Sequence, residues 1–272
     1  MDLRYVQELL INETRHKMAS LAIGLPIARK AATLRDLSRL FQGVGICRLL
    51  VDANVLKFRE NLLRSAQARR YHLRRARIER SLDDRFLGLS RVEAIFDAVV
   101  GGDAEIAREI VSLSIEAWHE GWEYEDDYCY YLFVHRLVSQ AGFLEGPEAP
   151  VLLGRFERVL EGQSSTRLAL CRTLRARDAV SFRQAFEAFL DERRTHVDAK
   201  RPLMTEYSAQ AIFWPGSFVS VEGLAWLRFA DGAGIGLNDS FEFCPDEARA
   251  PAAGPAPFED FFVSLDQALY GA

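Results

Sequence analysis

Apolar residues recur every three to four positions along most of the chain, which is the spacing of amphipathic helices rather than of strands. Val6, Leu9 and Leu10 give a first helix one apolar face. Signals for strands are nearly absent. Residues 212–221 contain aromatic and β-branched residues, but Pro215 and Gly216 interrupt them, so we expect a loop that leads into a helix.

The N-terminal third of the chain predicts one unusually long helix. A helical region over residues 34–40 leads through Gly43 and Gly45 into a run from about Cys47 to Leu82. This run contains no Gly or Pro and many arginines, a composition that favours helix. Its apolar stripe is narrow, so we expect much of the helix to be exposed to solvent.

From residue 89 onward the chain repeats the order helix, tight turn, capping aspartate, helix. Asp103 and Asp178 occupy the capping positions of two such units, and residues 126–140 and 150–160 form another hairpin between them. The sequence therefore predicts an all-α fold in which antiparallel helical hairpins pack as an irregular, tetratricopeptide-like array.

The predicted organisation is one all-helical domain over residues 1–240, followed by a tail over residues 241–272. No composition shift typical of a linker precedes residue 240. Residues 241–257 are rich in Pro and Ala and predict a surface loop. Residues 258–269 predict a short closing helix.

Composition and charge argue against several classes of function. With 49% apolar and 27% charged residues among 272, the chain has the composition of an ordinary globular protein. Its net charge of −5 gives no general reason to expect nucleic-acid binding. Asp2 and Arg4 do not begin a signal peptide, and the apolar run over residues 18–27 is too short to span a bilayer. We expect a cytoplasmic protein that contacts neither membrane nor nucleic acid.

The arginine-rich stretch is an exception within this acidic chain. Residues 57–91 contain eleven Lys or Arg and four Asp or Glu. The run over residues 68–80 could hold phosphates, with Tyr71 or His72 stacking on a base. The simpler interpretation is a solvated helix face with pairs such as Arg75–Glu79, and the overall charge favours it.

Catalytic and metal-binding motifs are not evident. There is no GxSxG motif, no glycine-rich phosphate loop and no cysteine spacing typical of zinc, so we expect four free, buried cysteines. Two ExxH pairs, Glu13–His16 and Glu116–His119, would each place a carboxylate and an imidazole on one helix face. A di-iron bundle needs two further glutamates that cannot be identified. A metal-dependent helical-bundle enzyme is therefore the least favoured function, and we expect no cofactor, metal or catalytic residue.

The segment over residues 116–128 combines carboxylates with aromatic residues, which suits an interface with a basic partner. Its alternative is a junction between helices, with Trp118 in the core, Gly121 ending one helix and Asp126 or Asp127 capping the next. Both interpretations stay open. The predicted partner-binding residues are Glu120, Glu123, Tyr124, Glu125, Asp126, Asp127 and Tyr128.

The most distinctive segment, FVSVEGLAWLRFADGAG, covers residues 218–234. Together with DDYCYYLFVHRLV (126–138), LLGRFERVLEG (152–162) and RLALCRTLRARDAVSFRQAFEAFL (167–190), it resembles the immunity protein 49 family. Ser220, Glu222 and Gly223 mark the start of its last helix. Glu222 is either an interface carboxylate or a partner of the backbone at the helix N-terminus, and an acid in the first turn favours the structural role.

The resemblance implies a bacterial antidote that binds a toxin encoded nearby and blocks it inside the cell by stoichiometric interaction, without catalysis. A helical-repeat adaptor that binds another protein or a peptide is the alternative. A neighbouring toxin gene would favour the antidote, and a concave peptide groove would favour the adaptor. The resemblance names neither the activity of the toxin nor the oligomeric state.

Overall fold

The computed structural model describes residues 2–91, 93–204, 207–250 and 260–270, and this part of the chain is all-α. It contains no strand, only an isolated bridge between Phe241 and Cys244. The predicted fold class is confirmed. The helices are α1 Leu3–Leu21, α2 Ile27–Asp52, α3 Val55–Ile78, α4 Ala94–Gly101, α5 Ala104–Leu113, α6 Glu125–Ser139, α7 Glu148–Val159, α8 Thr166–Ala176, α9 Ala179–Lys200, α10 Tyr207–Gly216, α11 Val221–Gly232, α12 Asp246–Arg249 and α13 Phe261–Tyr270, with 3-10 turns at Arg85–Leu87, Leu89–Arg91 and Arg201–Leu203.

The predicted long helix is two helices, and its boundary was placed wrongly. α2 continues through both glycines and ends at Asp52, where Ala53 adopts a left-handed conformation and the Asn54 side chain caps α3. A Cβ at Gly45 would lie 3.0 Å from the carbonyl oxygen of Phe58. The glycine therefore permits α3 to pack closely on α2 and does not interrupt the helix.

The expectation that the arginine-rich helix is largely exposed is also wrong. α3 packs against α2, α4, α5 and α13, and it lies in the interior of the molecule. Arg69, His72 and Arg75 are each less than 8% exposed. The apolar stripe is narrow because the aliphatic parts of long arginine side chains cover apolar surface that leucines would otherwise cover.

The predicted hairpins are present, and in each of them an aspartate caps the second helix. The Asp103 side chain accepts hydrogen bonds from two backbone N–H groups in the first turn of α5, at 2.9 and 3.0 Å. Asp178 accepts two at 3.1 Å in the first turn of α9. Helices α4 and α5, and likewise α8 and α9, pack as consecutive pairs. The capping prediction is confirmed at both positions.

A loop was predicted over residues 212–221, but the first half of this segment is helical. α10 extends to Gly216, with Pro215 as its second-last residue. A proline in the last turn removes one helical hydrogen bond and ends the helix there, so it does not prevent the preceding turns from forming. Ser220 then caps α11, as expected for the start of the next helix.

The tail packs on the same apolar core as the preceding helices. The ring of Phe241 meets Phe186 edge-on at 5.0 Å, and Phe262 of α13 lies 5.1 Å from Tyr71 of α3. The predicted closing helix begins at Phe261. Of the loop predicted over residues 241–257, residues 241–250 are described and include the short helix α12, while residues 251–257 lie outside the described residues. The division into a domain and a tail stays a prediction.

The four cysteines are buried and free, as expected. Within the described part of the chain, every helix is too short or too polar to cross a bilayer.

Burial keeps one histidine neutral in the core. His135 of α6 is fully buried, and neither ring nitrogen has a hydrogen-bond partner among the described residues. Burial, with a smaller contribution from Arg69 and Arg136, lowers the pKa of His135 from 6.5 to about 3. The unfolded chain therefore binds a proton here at a pH where the folded protein does not.

We predict that the stability contributed by neutral His135 is present above pH 6.5 and is lost as the pH falls towards 3. Its share of the free energy of unfolding should decrease by about 1.4 kcal/mol per pH unit in this window. Urea unfolding between pH 7 and about 4 measures the effect. Relative to the wild type, His135→Leu should become progressively more stable as the pH falls. The exposed His16→Leu is the control, and equal slopes for all three proteins would contradict the prediction.

Candidate partner-binding surface

A loop over residues 114–124 connects α5 to α6 and carries three of the seven predicted partner-binding residues, while the other four lie in the first turn of α6. The indole N–H of Trp118 donates to the carbonyl of Glu123 at 3.3 Å, and the hydroxyl of Tyr128 donates to the carbonyl of Glu116 at 2.6 Å. The first bond joins two parts of the loop, and the second holds the beginning of the loop against α6. The predicted placement of Glu116 and His119 on one helix face is wrong, because α5 ends at Leu113 and both residues lie in the loop.

Arginines from later helices neutralise much of the acidic segment. Arg136 binds Glu116 with two hydrogen bonds of 2.8 and 3.0 Å. Arg155 of α7 binds Glu125 at 2.6 Å. Arg167 of α8 binds Asp127 at 2.9 Å. These pairs tie the junction to three helices and reduce the negative charge that it offers to a partner.

Glu123 lies inside the protein. It is 6% exposed, and its Oε2 accepts a hydrogen bond from the backbone N–H of Ser90 at 2.7 Å. Its charge also acts on the buried guanidinium of Arg69. Glu123 therefore connects the junction loop to the second 3-10 turn after α3, Leu89–Arg91, and its carboxylate is not available at the surface.

The start of α6 differs from the predicted junction between helices. Tyr124 occupies the N-cap position without a capping side-chain bond, so neither Asp126 nor Asp127 caps the helix. Together with Glu125 they lie in its first turn, where negative charge complements the helix dipole. Gly121 does not end a helix, and Trp118 is half-buried against the core.

The structure brings the seven predicted residues together, but it gives them different surroundings. Glu120 is exposed, Tyr124 is 79% exposed, and Asp126 is half-buried without an ion pair among the described residues. Glu125 and Asp127 form the ion pairs described above. Glu123 and Tyr128 are buried. That these residues bind a partner stays a prediction, for which Glu120, Tyr124 and Asp126 offer the accessible groups.

The signature residues at the start of α11 have structural contacts. The Ser220 hydroxyl caps α11 by accepting from the backbone N–H of Gly223 at 3.0 Å. Glu222 accepts a hydrogen bond from Tyr130 at 2.6 Å, and that hydroxyl accepts one from the indole of Trp226 at 2.7 Å. Glu222 thus binds a buried tyrosine side chain, and not the backbone of its own helix.

Arg167 connects this signature to the junction. Its guanidinium lies 3.4 Å from Glu222 and 4.5 Å from the centre of the Tyr130 ring, while it also binds Asp127. These anionic neighbours raise the pKa of Arg167 further above its ordinary value, although burial opposes them. One cation therefore joins α6, α8 and α11.

Comparison with known families agrees with the resemblance. The model of the immunity protein 49 family matches residues 52–248 of the chain. The chain belongs to this family. The match covers α3 and the junction as well as the signature, so it reaches well before the segments that carried the resemblance. No curated protein and no solved structure matches the chain significantly.

In this member of the immunity protein 49 family, sequence reasoning missed the arginines of the junction. Arg155 and Arg167 lie 30 and 40 residues beyond the carboxylates that they bind. No local spacing connects the partners, since each pair forms only when α7 and α8 pack beside α6. The excess of acids in the segment was visible, but its neutralisation was not.

We predict that Gly223→Ala destabilises the protein by about 1–3 kcal/mol, because the added Cβ would lie 2.8 Å from the Sγ of Cys244. Cys244→Ala removes that sulfur, so the double variant should recover part of the loss. Denaturant unfolding of the four proteins gives the coupling energy. Strictly additive effects would show that this contact is not the cause.

We predict that Glu123→Ala lowers the free energy of unfolding by about 2 kcal/mol, because it leaves the partly buried N–H of Ser90 without its acceptor and removes a charge near Arg69. Glu120→Ala is the matched control, since Glu120 is exposed and should tolerate the change within about 0.5 kcal/mol. Thermal unfolding of both variants measures the difference. Similar losses at the two positions would contradict the buried role of Glu123.

Proposed function

We propose that this protein is an immunity protein that binds a toxin encoded beside it in a bacterial genome and neutralises it in the cytoplasm. The observation that carries the proposal is the family match over residues 52–248. Immunity proteins act by binding, so we further propose a stoichiometric complex in which this chain performs no catalysis.

The junction loop is the surface that we propose for the toxin. Tyr124 is the most exposed large residue there, and a tyrosine offers contact area at a low cost in side-chain entropy. Glu120 and Asp126 flank it with negative charge. On α7, Val151 is 71% exposed and lies one turn before Arg155, on the helix face that meets Glu125. An aromatic and an aliphatic side chain beside two carboxylates suit a partner with basic residues around an apolar centre.

The internal ion pairs support a preorganised surface. Arg136 and Arg155 hold the loop and the first turn of α6 in place before any partner arrives. Binding then requires little ordering of the junction, which reduces the entropic cost of association.

We predict that cells producing the toxin encoded by the adjacent gene grow again when this protein is co-expressed, and that the two proteins form a complex of equal stoichiometry. Tyr124→Ala should weaken the complex at least about tenfold, because central aromatic residues dominate interface energies. Glu120→Lys with Asp126→Lys should slow association, most clearly at low salt. Growth rescue, co-purification and binding kinetics are the measurements.

The matched control reverses two exposed acids on α1, Glu8 and Glu13, which changes the net charge equally on a helix that packs against α2 and α10. We expect this control to bind like the wild type. Loss of binding in the control alone would move the interface to α1. A neighbouring protein that neither binds nor is neutralised would overturn the proposed function and favour the adaptor.

A further inference from the structure

A cavity of about 270 Å³ lies between α2 and α3, and none of the signature residues lines it. The two 3-10 turns after α3 and the start of α4 close it. It is smaller than the pockets that hold drug-sized ligands, so it suits a small molecule. Its cationic and imidazole side chains are Arg35, Arg39, Arg69, His72, Arg85 and Arg91, and Glu93 is the one acid among the described residues that line it.

Three of these arginines have no carboxylate partner among the described residues. Arg69 donates to the backbone carbonyls of residues 86–88, and Arg91 donates to the carbonyl of Trp122 at 2.9 Å. Arg85 lies over the ring of Phe86, 5.1 Å from its centre. Carbonyl groups and rings orient a guanidinium, but they carry no net charge to neutralise it.

Arg69 is the most informative of the three. It is 6% exposed, and its Nε is buried without a hydrogen-bond partner among the described residues. Burial lowers the pKa of Arg69 to about 10, so it still carries its charge at neutral pH. An unsatisfied N–H on a buried cation is costly. Because Arg69 lines the cavity, an anion bound there would supply the countercharge that its carbonyl partners lack.

The carboxylates near Arg69 have other partners and do not line the cavity. Asp84 lies 3.6 Å from His72 and accepts a hydrogen bond from the backbone N–H of Phe86. Glu123 accepts the backbone N–H of Ser90. At the exposed side, Glu93 pairs with Arg39 at 3.3 Å. The wall of the cavity therefore has an excess of positive charge.

We propose that this cavity is a binding site for a small phosphate-bearing anion, held by buried Arg69 and by the more exposed Arg85 and Arg91. Guanidinium groups match the oxygen geometry of phosphate and can bind it through paired hydrogen bonds. A phosphate carries more charge and more acceptor oxygens than a carboxylate, and the space is lined by three guanidinium groups that form no ion pair with any described residue. This inference does not depend on the proposed binding of a toxin.

Aromatic stacking holds part of the site in position. Arg35 and Arg85 both lie against Phe86, with guanidinium carbons 4.9 and 5.1 Å from the ring centre. Arg35 also binds Asp36 at 2.8 Å, so its charge is partly neutralised. Arg85 thus lines the cavity, held by the Phe86 ring, and within the described part of the chain it has no ion pair that would compete with a bound anion.

Calorimetric titration of the full chain with inorganic phosphate tests the site. Ribose 5-phosphate and ribose, as second and third probes, distinguish free phosphate from a phosphorylated small molecule. We expect saturable binding of at least one phosphate-bearing probe and none of ribose. Arg85→Gln and Arg91→Gln should each weaken it roughly tenfold or more, because each loses a charge-assisted hydrogen bond. Arg175→Gln, at an exposed residue of α8, removes the same charge and should bind like the wild type.

Arg69→Lys keeps the charge but removes the planar fork, so it should weaken binding of phosphate while circular dichroism and thermal unfolding report whether the protein remains folded. If the Arg69→Lys variant does not fold, the phosphate binding of the Arg85→Gln and Arg91→Gln variants tests the proposal without it. Absence of saturable binding to the wild type, or an equal loss in Arg175→Gln, would overturn the proposal. Acetate that binds more tightly than phosphate would also overturn it and would indicate a carboxylate ligand.

Discussion

The burial of an arginine-rich helix is the constraint on which much of this structure depends. A guanidinium inside a protein is costly unless most of its N–H groups find acceptors, so the surrounding chain has to supply them. The first 3-10 turn after α3, together with Gly88 that follows it, presents three carbonyls to Arg69. Asp260, just before α13, binds Arg70. The charges of α3 therefore help to hold this turn and the last helix in position.

The same principle organises the junction and the family signature. Arg167 forms ion pairs with both Asp127 and Glu222, and Glu222 also accepts a hydrogen bond from the hydroxyl of buried Tyr130. Loss of any member would leave a partly buried polar group without its partner. The signature is thus a set of packing and hydrogen-bonding residues at the base of the proposed toxin surface, while the accessible groups lie in the loop before α6.

Local features of the chain were predictable because they depend on neighbours in sequence. Asp103 and Asp178 cap helices through backbone groups two and three residues away, and a single spacing identifies them. The break between α2 and α3 was expected too early in the chain, because Gly45 is a contact between the two helices and only the approach of Phe58 shows this. Of the proposed toxin surface, the aromatic and acidic character was visible, but the burial of Glu123 was not.

By itself the sequence determined the all-α class, the capped hairpins and the family, since periodicity, caps and signature residues are all local patterns. The tertiary structure alone decided which charges are available to a ligand or partner. Charged residues with similar local patterns are either neutralised in pairs, as Glu125 is by Arg155, or left without an acidic partner, as Arg91 is in the described structure. The difference arises because Coulomb attraction depends on the distance between charges in space, and desolvation depends on burial. Neither the distance nor the burial can be read from the spacing of residues along the chain.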